Sequence, residues 1–367
     1  MTSPLFDPIT VGAFPLTHRV VHAPMTRLRA EPDDSPSDIM VDYYRQRASA
    51  GGLLITESAH PSTDSFGYLG APGLYADHHV DRWRRVVNAV HERDGLIVVQ
   101  IAHDGRQSHV DLADGKSPVA PSVVPFKTQV VTADGWVPNS PHRALDADEL
   151  PSLVESFRRG AQRAKDAGFD GIEMHSANGY LLDTFLQDGT NRRTDAYGGD
   201  AEGRTRFPLQ VATALADVFG ADRVGVRVSP SGTWGSISDS DPEATFAFYA
   251  ERLNDLGIAY LHVIEPRVSG TETVAEGQAP VAATFLRRHF RGPIIAAGGF
   301  DKAGAEDIVA RGDADLVAFG RFFSSNPDLP ERIRNGWALT PYDRDAFWGG
   351  TEHHYSDYLP HDCAKTA

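Results

Sequence analysis

A single cysteine, Cys363, stands in this chain of 367 residues. One thiol cannot close an internal disulfide, complete a cysteine zinc site or hold an iron–sulfur cluster. Long apolar runs are missing too: nothing approaches the roughly 18 uninterrupted apolar residues that mark a membrane span. Met1–Pro8 has neither the basic nor the apolar stretch of a signal peptide, so a cytoplasmic location is expected. Basic residues are the minority charge, with 35 Lys and Arg against 50 Asp and Glu, leaving a formal net charge of −15. Such a surface repels phosphate backbones and argues against nucleic acid as a partner.

What is present is a rhythm. Eight short apolar runs recur along the chain: Val20–Ala23, Leu53–Thr56, Ile97–Ile101, Gly171–Met174, Val224–Val228, Tyr260–Ile264, Pro293–Ala296 and Leu316–Phe319. They are rich in β-branched residues and lack clean alternation, as parallel strands covered on both faces do. Helical patterns separate them. Asp146 and Glu149 form a capping-box signature ahead of Leu153, Phe157, Ala161 and Ala164 at helical spacing. Asp241-Pro242 reads as a second helix start and Gly257 as its stop. The alternation predicts an α/β fold, a (β/α)₈ TIM barrel formed by residues 1–367 as a single domain. Ile9–Leu16 is predicted to be a hairpin closing the barrel floor. Residues 104–145, rich in Pro, Gly, Ser and Asp, are predicted to form a lid after the third strand, since so long a loop usually carries function or its own structure.

In such a barrel the residues just beyond the strands' C-terminal ends build the site. Those residues are Pro24, Met25, Thr26 and Arg27 after the first run, Glu57 and Ser58 after the second, Gln100 at the end of the third, and His175, Asn178 and Tyr180 after the fourth. Arg227 ends the fifth, Gly298 and Gly299 follow the seventh, and Gly320 and Arg321 follow the eighth. The last two loops suit a phosphate: glycines let backbone N–H groups approach it, and an arginine can clamp it with two bonds. Their plainer reading is tight turns beside a surface arginine. His175 and Asn178, three apart, can both donate to one oxygen, and Tyr180 offers a proton; together they can polarise a carbonyl or nitro group and then protonate carbon. The plainer reading there is a polar loop with a structural histidine. Arg227 needs a partner in the barrel, either a carboxylate or an electron-rich ring. Gln100 carries both donor and acceptor. His103 has no second ligand at helical spacing, so no metal site is expected.

Six stretches, in this order, resemble the Old Yellow Enzyme family over nearly the whole chain: His22-Ala-Pro-Met-Thr-Arg27, Gln100-Ile-Ala-His-Asp-Gly-Arg106, Asp170-Gly-Ile-Glu-Met-His-Ser-Ala-Asn-Gly-Tyr-Leu-Leu182, Asn191-Arg-Arg-Thr-Asp-Ala-Tyr-Gly-Gly199, Gly225-Val-Arg-Val-Ser-Pro230 and Phe319-Gly-Arg-Phe-Phe-Ser-Ser-Asn-Pro-Asp-Leu-Pro330. The run Ser229-Pro-Ser-Gly-Thr-Trp-Gly235 resembles the N-ethylmaleimide reductase and nitrate-ester reductase branch. The resemblance implies bound FMN, NADH or NADPH as hydride donor, and ping-pong reduction of the C=C bond of small activated alkenes. It implies Pro24, Met25, Thr26, Ser58, Gln100 and Arg227 around the flavin ring, with Thr26 at flavin O4. Gly298, Gly299, Gly320 and Arg321 would hold its phosphate. His175 and Asn178 would bind the substrate oxygen and Tyr180 would donate the proton. Thr26, Tyr68, Ala102 and Tyr355 would flank the substrate; Ala102 replaces a frequent tryptophan and is expected to enlarge the pocket. Ser58 replaces a frequent alanine, and Gly203 interrupts a usual Glu-Asn-Arg. A nitrate-ester or nitroaromatic reductase using the same site remains open, as does a flavin-free barrel binding a phosphorylated ligand, although no strand run carries a Schiff-base lysine. Monomer and homo-oligomer are both compatible with the sequence.

Overall fold

Eight parallel strands close on themselves in the order of the sequence. The computed structural model describes residues 3–269, 272–273 and 281–361; Cys363 lies outside them. The strands are Val20–His22, Leu53–Ala59, Leu96–Ile101, Gly171–Ser176, Val224–Val228, Tyr260–Ile264, Ile294–Ala297 and Leu316–Phe319. Each matches an apolar run, and the eighth pairs with the first, Phe319 opposite His22, to complete the barrel.

The second strand runs beyond its predicted end and includes Glu57 and Ser58. Its register against the third strand shifts between Ile55 and Ser58, so that Ser58 stands opposite Gln100. Such an irregularity re-aims a side chain next to a site.

Two apolar layers hold the barrel. The outer one lies between strands and helices and includes Trp83, Phe157, Phe185, Phe207 and Leu253. Helix Leu150–Ala167 starts behind the expected Asp146/Glu149 capping box, and helix Pro242–Leu256 is capped by Asp241 and stopped by Gly257 at φ 75°. The inner layer fills the lower barrel with Val21, Leu53, Ile55, Val98, Tyr260, Ile295 and Leu316, joined by Val11, Phe14 and Leu16. Those three come from the N-terminal hairpin, in which Ile9–Val11 pairs with Phe14–Leu16. The hairpin plugs the floor as expected. Gly171 makes room for it, since a Cβ there would sit 2.7 Å from Phe14 Cζ. The interior is therefore closed and apolar below, and polar chemistry is confined to the upper end.

Residues 104–145 contain a hairpin of Gln129–Thr132 against Gly135–Pro138, and Val119–Ala120 pairs with Arg143–Ala144. Leu69 N–H donates to the Val131 carbonyl at 2.8 Å, tying the hairpin to the loop that carries Tyr68. Gly203 has a local cause. Asp200 caps its N–H, and a Cβ there would lie 2.0 Å from the Gly198 carbonyl oxygen, so the side chain usual at that place has no room. Among the described residues no helix is long and apolar enough to cross a membrane.

Candidate active site

A cavity of about 770 Å³ opens at the C-terminal ends of the strands. That volume lies within the range of ~300–1,000 Å³ usual for small-molecule sites. Pro24, Met25, Thr26, Ser58, Tyr68, Gln100, His175, Asn178, Tyr180, Arg227, Gly298, Gly299, Gly320 and Arg321 all line it. Strand parity explains much of the convergence. His175 and Arg227 stand opposite each other on neighbouring strands, and Arg227 stands opposite His262 on the next. All three therefore face the barrel interior.

Beneath this tier lies a polar layer that the strand-end reading passes over. Glu173, wholly buried, accepts from Gln100 Nε2 at 2.8 Å through one carboxylate oxygen and meets His262 Nδ1 at 2.9 Å through the other. Ser58 donates to Gln100 Oε1 at 2.6 Å. The Gln100 amide is thus fixed, its nitrogen towards the carboxylate and its oxygen towards the hydroxyl. Burial pushes the Glu173 carboxyl up, but His262, Arg227 and Gln100 outweigh it and hold the group below the usual carboxylate range. Burial drives Arg227 down, and Glu173 draws it back. Arg227 Nε is buried without a hydrogen-bond partner among the described residues. Glu173 and His262 were visible in the sequence as ionisable residues at inward positions of apolar runs. Glu173 stands two before His175, on the same face.

Above this layer His175 is 3% exposed. Burial first, then Arg227 and His262, push its pKa well below the ordinary histidine value, so it is a neutral imidazole near pH 7. The Tyr180 ring meets it edge to face at 5.1 Å. Burial, Tyr68 and Asp104 raise the Tyr180 phenol well above the usual tyrosine range, which keeps its proton in place. Its hydroxyl lies 3.3 Å from that of Tyr68, itself pushed up to about 12 by burial. Asn178 sits between them in sequence with φ 59°, a left-handed conformation that asparagine tolerates better than most residues.

The loops after strands seven and eight form the opposite wall. Gly298 and Gly299 have φ of 130° and 67°. A Cβ on Gly320 would lie 3.2 Å from Met25 Sδ, so its absence lets Met25 pack against that loop. The Arg321 guanidinium lies 5.7 Å from the Tyr342 ring centroid.

Two expected pocket residues do not line the cavity. Ala102 is fully buried, and its N–H donates to the Ala59 carbonyl. The third strand ends at Ile101, so the alternation that would place residue 102 beside Gln100 stops one residue short. Tyr355 is also fully buried. It stacks on Tyr43 at 4.3 Å with the Arg29 guanidinium 4.2 Å from its centroid. Arg27 and Arg29 there bind the carbonyls of Ala346, Phe347 and Thr351. Tyr355 thus belongs to an anchor that pins the C-terminal segment, and that segment supplies Tyr342, Phe347 and Trp348 to the cavity. Trp136, from the 135–138 strand, meets Trp348 edge to face at 5.6 Å and Tyr68 at 6.4 Å. These wall residues come from loops distant in sequence and went unnoticed in the sequence. His103 is occupied locally, its Nδ1 accepting from Gly105 N–H at 3.1 Å. Among the described residues no cluster of His, Cys, Asp or Glu suits a metal ion.

Trp136 and Trp348 are 49% and 39% exposed, leaving aromatic faces for a large ligand. Trp136→Ala is expected to raise KM for bicyclic or larger enones by roughly three- to tenfold, the worth of one aromatic contact, and that for cyclohexenone far less. Equal changes for both would show that this wall does not sort substrates by size.

The model of the NADH:flavin oxidoreductase / NADH oxidase family matches residues 4–340. The flavin oxidoreductase hxnT of Emericella nidulans is 40% identical, with 97% of each chain covered. The 12-oxophytodienoate reductase 1 of Oryza sativa subsp. japonica is 41% identical over 94% of this chain and 90% of its own. Morphinone reductase in complex with tetrahydroNAD superposes with a TM-score of 0.90 at 44% identity, 97% of each chain being covered. The old yellow enzyme homologue from Zymomonas mobilis gives a TM-score of 0.93 at 39% identity, covering 97% of this chain and 99% of that one. These likenesses set aside a flavin-free barrel: the chain belongs to the NADH:flavin oxidoreductase / NADH oxidase family and is an FMN-dependent oxidoreductase of the Old Yellow Enzyme type, fed by a nicotinamide hydride donor.

Proposed function

We propose that the chain reduces the C=C bond of α,β-unsaturated carbonyl or nitro compounds. The observation that carries this reading is one cavity wall that joins a neutral, buried His175, the left-handed Asn178 and a protonated Tyr180 phenol.

The cavity fits FMN. Arg227, with a buried Nε lacking a partner, suits a ring edge that gains negative charge. Gln100, its amide fixed by Glu173 and Ser58, suits the uracil-like edge. Pro24, Met25 and Thr26 supply a further wall, and Gly298, Gly299, Gly320 and Arg321 would cradle the phosphate. When bound, FMN supplies a two-electron store between nicotinamide and acceptor.

The chain's own work is polarisation, proton supply and exclusion of water. His175 and Asn178 would each donate to the acceptor oxygen. A neutral imidazole does this without burying a second cation beside Arg227. As the oxygen gains charge, both bonds strengthen, so they stabilise the transition state more than the bound substrate. Tyr180 would then protonate the α-carbon. Nicotinamide and acceptor would take turns in this one cavity at the strand ends, and ping-pong kinetics are expected.

A stopped-flow experiment tests the reading. The nicotinamide-reduced protein is mixed with cyclohexenone, a nitroalkene and a nitrate ester. Fast reoxidation by the first two, with the saturated product formed, supports alkene reduction. Reoxidation by the nitrate ester alone would replace it with denitration at the same site.

Arg227 gives a separate prediction. Removing one member of a buried charge pair is costly, and here it also strips Glu173 of a counter-charge. Arg227→Ala is expected to weaken FMN binding by roughly tenfold or more. Arg227→Lys should restore only part, because a point charge cannot reproduce a planar fork. FMN titration and the flavin midpoint potential measure this, and unchanged values in both would make the arginine structural.

A further inference from the structure

Behind the reacting side chains lies a buried carboxyl that the proposed chemistry does not use. Asp183 is 0% exposed in the short helix Leu181–Leu186. Its Oδ2 accepts from Gly179 N–H at 2.8 Å and from the Ser229 hydroxyl at 3.3 Å, and its Oδ1 accepts from Gln187 Nε2 at 2.9 Å. Ser229 Oγ in turn accepts from Asn178 N–H at 2.8 Å. The two amides held in this way belong to consecutive left-handed residues, Asn178 at φ 59° and Gly179 at φ 69°. Glycine adopts that conformation freely and asparagine at a small cost, so these contacts select the turn from the other conformations open to the two residues. Gln107 Nε2 binds the Asn178 carbonyl from the other side at 2.8 Å.

We infer that Asp183 is a positioning residue whose ionised carboxylate, through Gly179 N–H and the Ser229 hydroxyl, locks the 177–180 turn so that Asn178 and Tyr180 face one substrate, and that proton uptake at Asp183 loosens the turn. The substrate half of this inference rests on the proposed alkene reduction. The physical argument is a count of donors. Three donors converge on Asp183, and a carboxylate is acceptor-only. A protonated carboxyl brings a hydrogen of its own, so one contact must be given up or must reverse, with the Ser229 hydroxyl or the Gln187 amide turning round to accept it, while Gly179 N–H can only donate. Burial pushes the Asp183 carboxyl up to about 7, against the opposing pull of its three donors and of Arg106. The ionisable groups facing it from other elements are Arg106 and Tyr249. Burial lowers Arg106 only to about 10 and raises Tyr249, so neither changes charge near neutrality. The lock is therefore engaged above pH 7 and released below it.

The test compares wild type with Asp183→Asn, whose amide likewise places a donor among donors. The probe is p-methoxyphenol, an enolate mimic whose binding beside oxidised flavin is read as a charge-transfer band. At pH 8 the substitution should weaken the phenol about tenfold, the worth of a hydrogen bond to a charged group, with full FMN content. At pH 5.5 the two proteins should bind it equally, since wild-type Asp183 is then protonated. Equal affinities at both pH values would overturn the inference, and so would the same loss at both. Backbone amide exchange at Asn178 and Gly179 reads the turn directly: protection should fall in Asp183→Asn at pH 8, and unchanged protection would overturn the lock. Ser229→Ala, which removes only the bridging hydroxyl, should show a smaller fall and serves if Asp183→Asn does not fold. A wild type that gives no band, but shows the expected exchange difference, would overturn the proposed function and leave the lock standing.

Discussion

Tyr180→Phe is expected to slow reduction of an enone by about 10²–10⁴-fold, the usual contribution of a placed general acid. The ring and its edge-to-face contact with His175 survive the substitution; only the hydroxyl goes. Flavin reduction by nicotinamide needs no proton from the phenol and should run near the wild-type rate, so the loss should appear in the acceptor half-reaction alone. Nitroalkenes should suffer less, because a nitronate is stable enough to leave and take its proton from water. The pH profile adds a sign. Burial, Tyr68 and Asp104 hold the phenol well above its ordinary pKa, so loss of its proton should produce no alkaline fall in rate at or below the usual tyrosine range. Wild-type enone turnover in the phenylalanine variant would remove Tyr180 from the donor role; an alkaline limb below pH 10 that the variant lacks would keep the role and show instead that the phenol is not held above its usual range.

The barrel was legible in the sequence because its cause is local. Parallel strands covered on both faces must be apolar almost throughout, and eight such runs, with caps at Asp146, Asp241 and Gly257, leave little choice of architecture. The upper ends of the strands were legible for the same reason: a polar residue directly after an apolar run reports its own position. Glu173 and His262 were passed over because they lie inside the runs, where parity and not adjacency reveals them. Ala102 was misplaced by the opposite error, the extension of parity past the end of the strand at Ile101. Tyr355 and Trp348 show the limit of reading by stretches. Which of two nearby aromatics enters the cavity is decided by Arg27 and Arg29, which bind backbone carbonyls more than 300 positions away. Nothing at residue 348 or 355 announces that anchor.

Replacement of both His175 and Asn178 by alanine is expected to abolish the long-wavelength band that phenols give with oxidised flavin, and to stop enone reduction almost completely. A single well-aimed donor to a developing oxyanion is worth about 2.7–4 kcal/mol, or 10²–10³ in rate. The pair acts on one atom, so the double variant should lose less than the sum of the singles. The singles should differ in kind. His175 is buried against Arg227 and Tyr180, so alanine there also opens space beside the phenol. Asn178 stands at a left-handed position tied down by its own backbone amide and carbonyl, so alanine there should remove the side-chain donor and add backbone strain. Asn178→Gly separates these effects: it relieves the strain and still lacks the donor. If donation is what matters, the glycine and alanine variants should be equally poor at binding p-methoxyphenol. If Asn178→Gly binds the phenol as tightly as wild type, the asparagine serves the turn and not the oxygen, and the oxyanion site must be sought around His175 and Tyr180 alone.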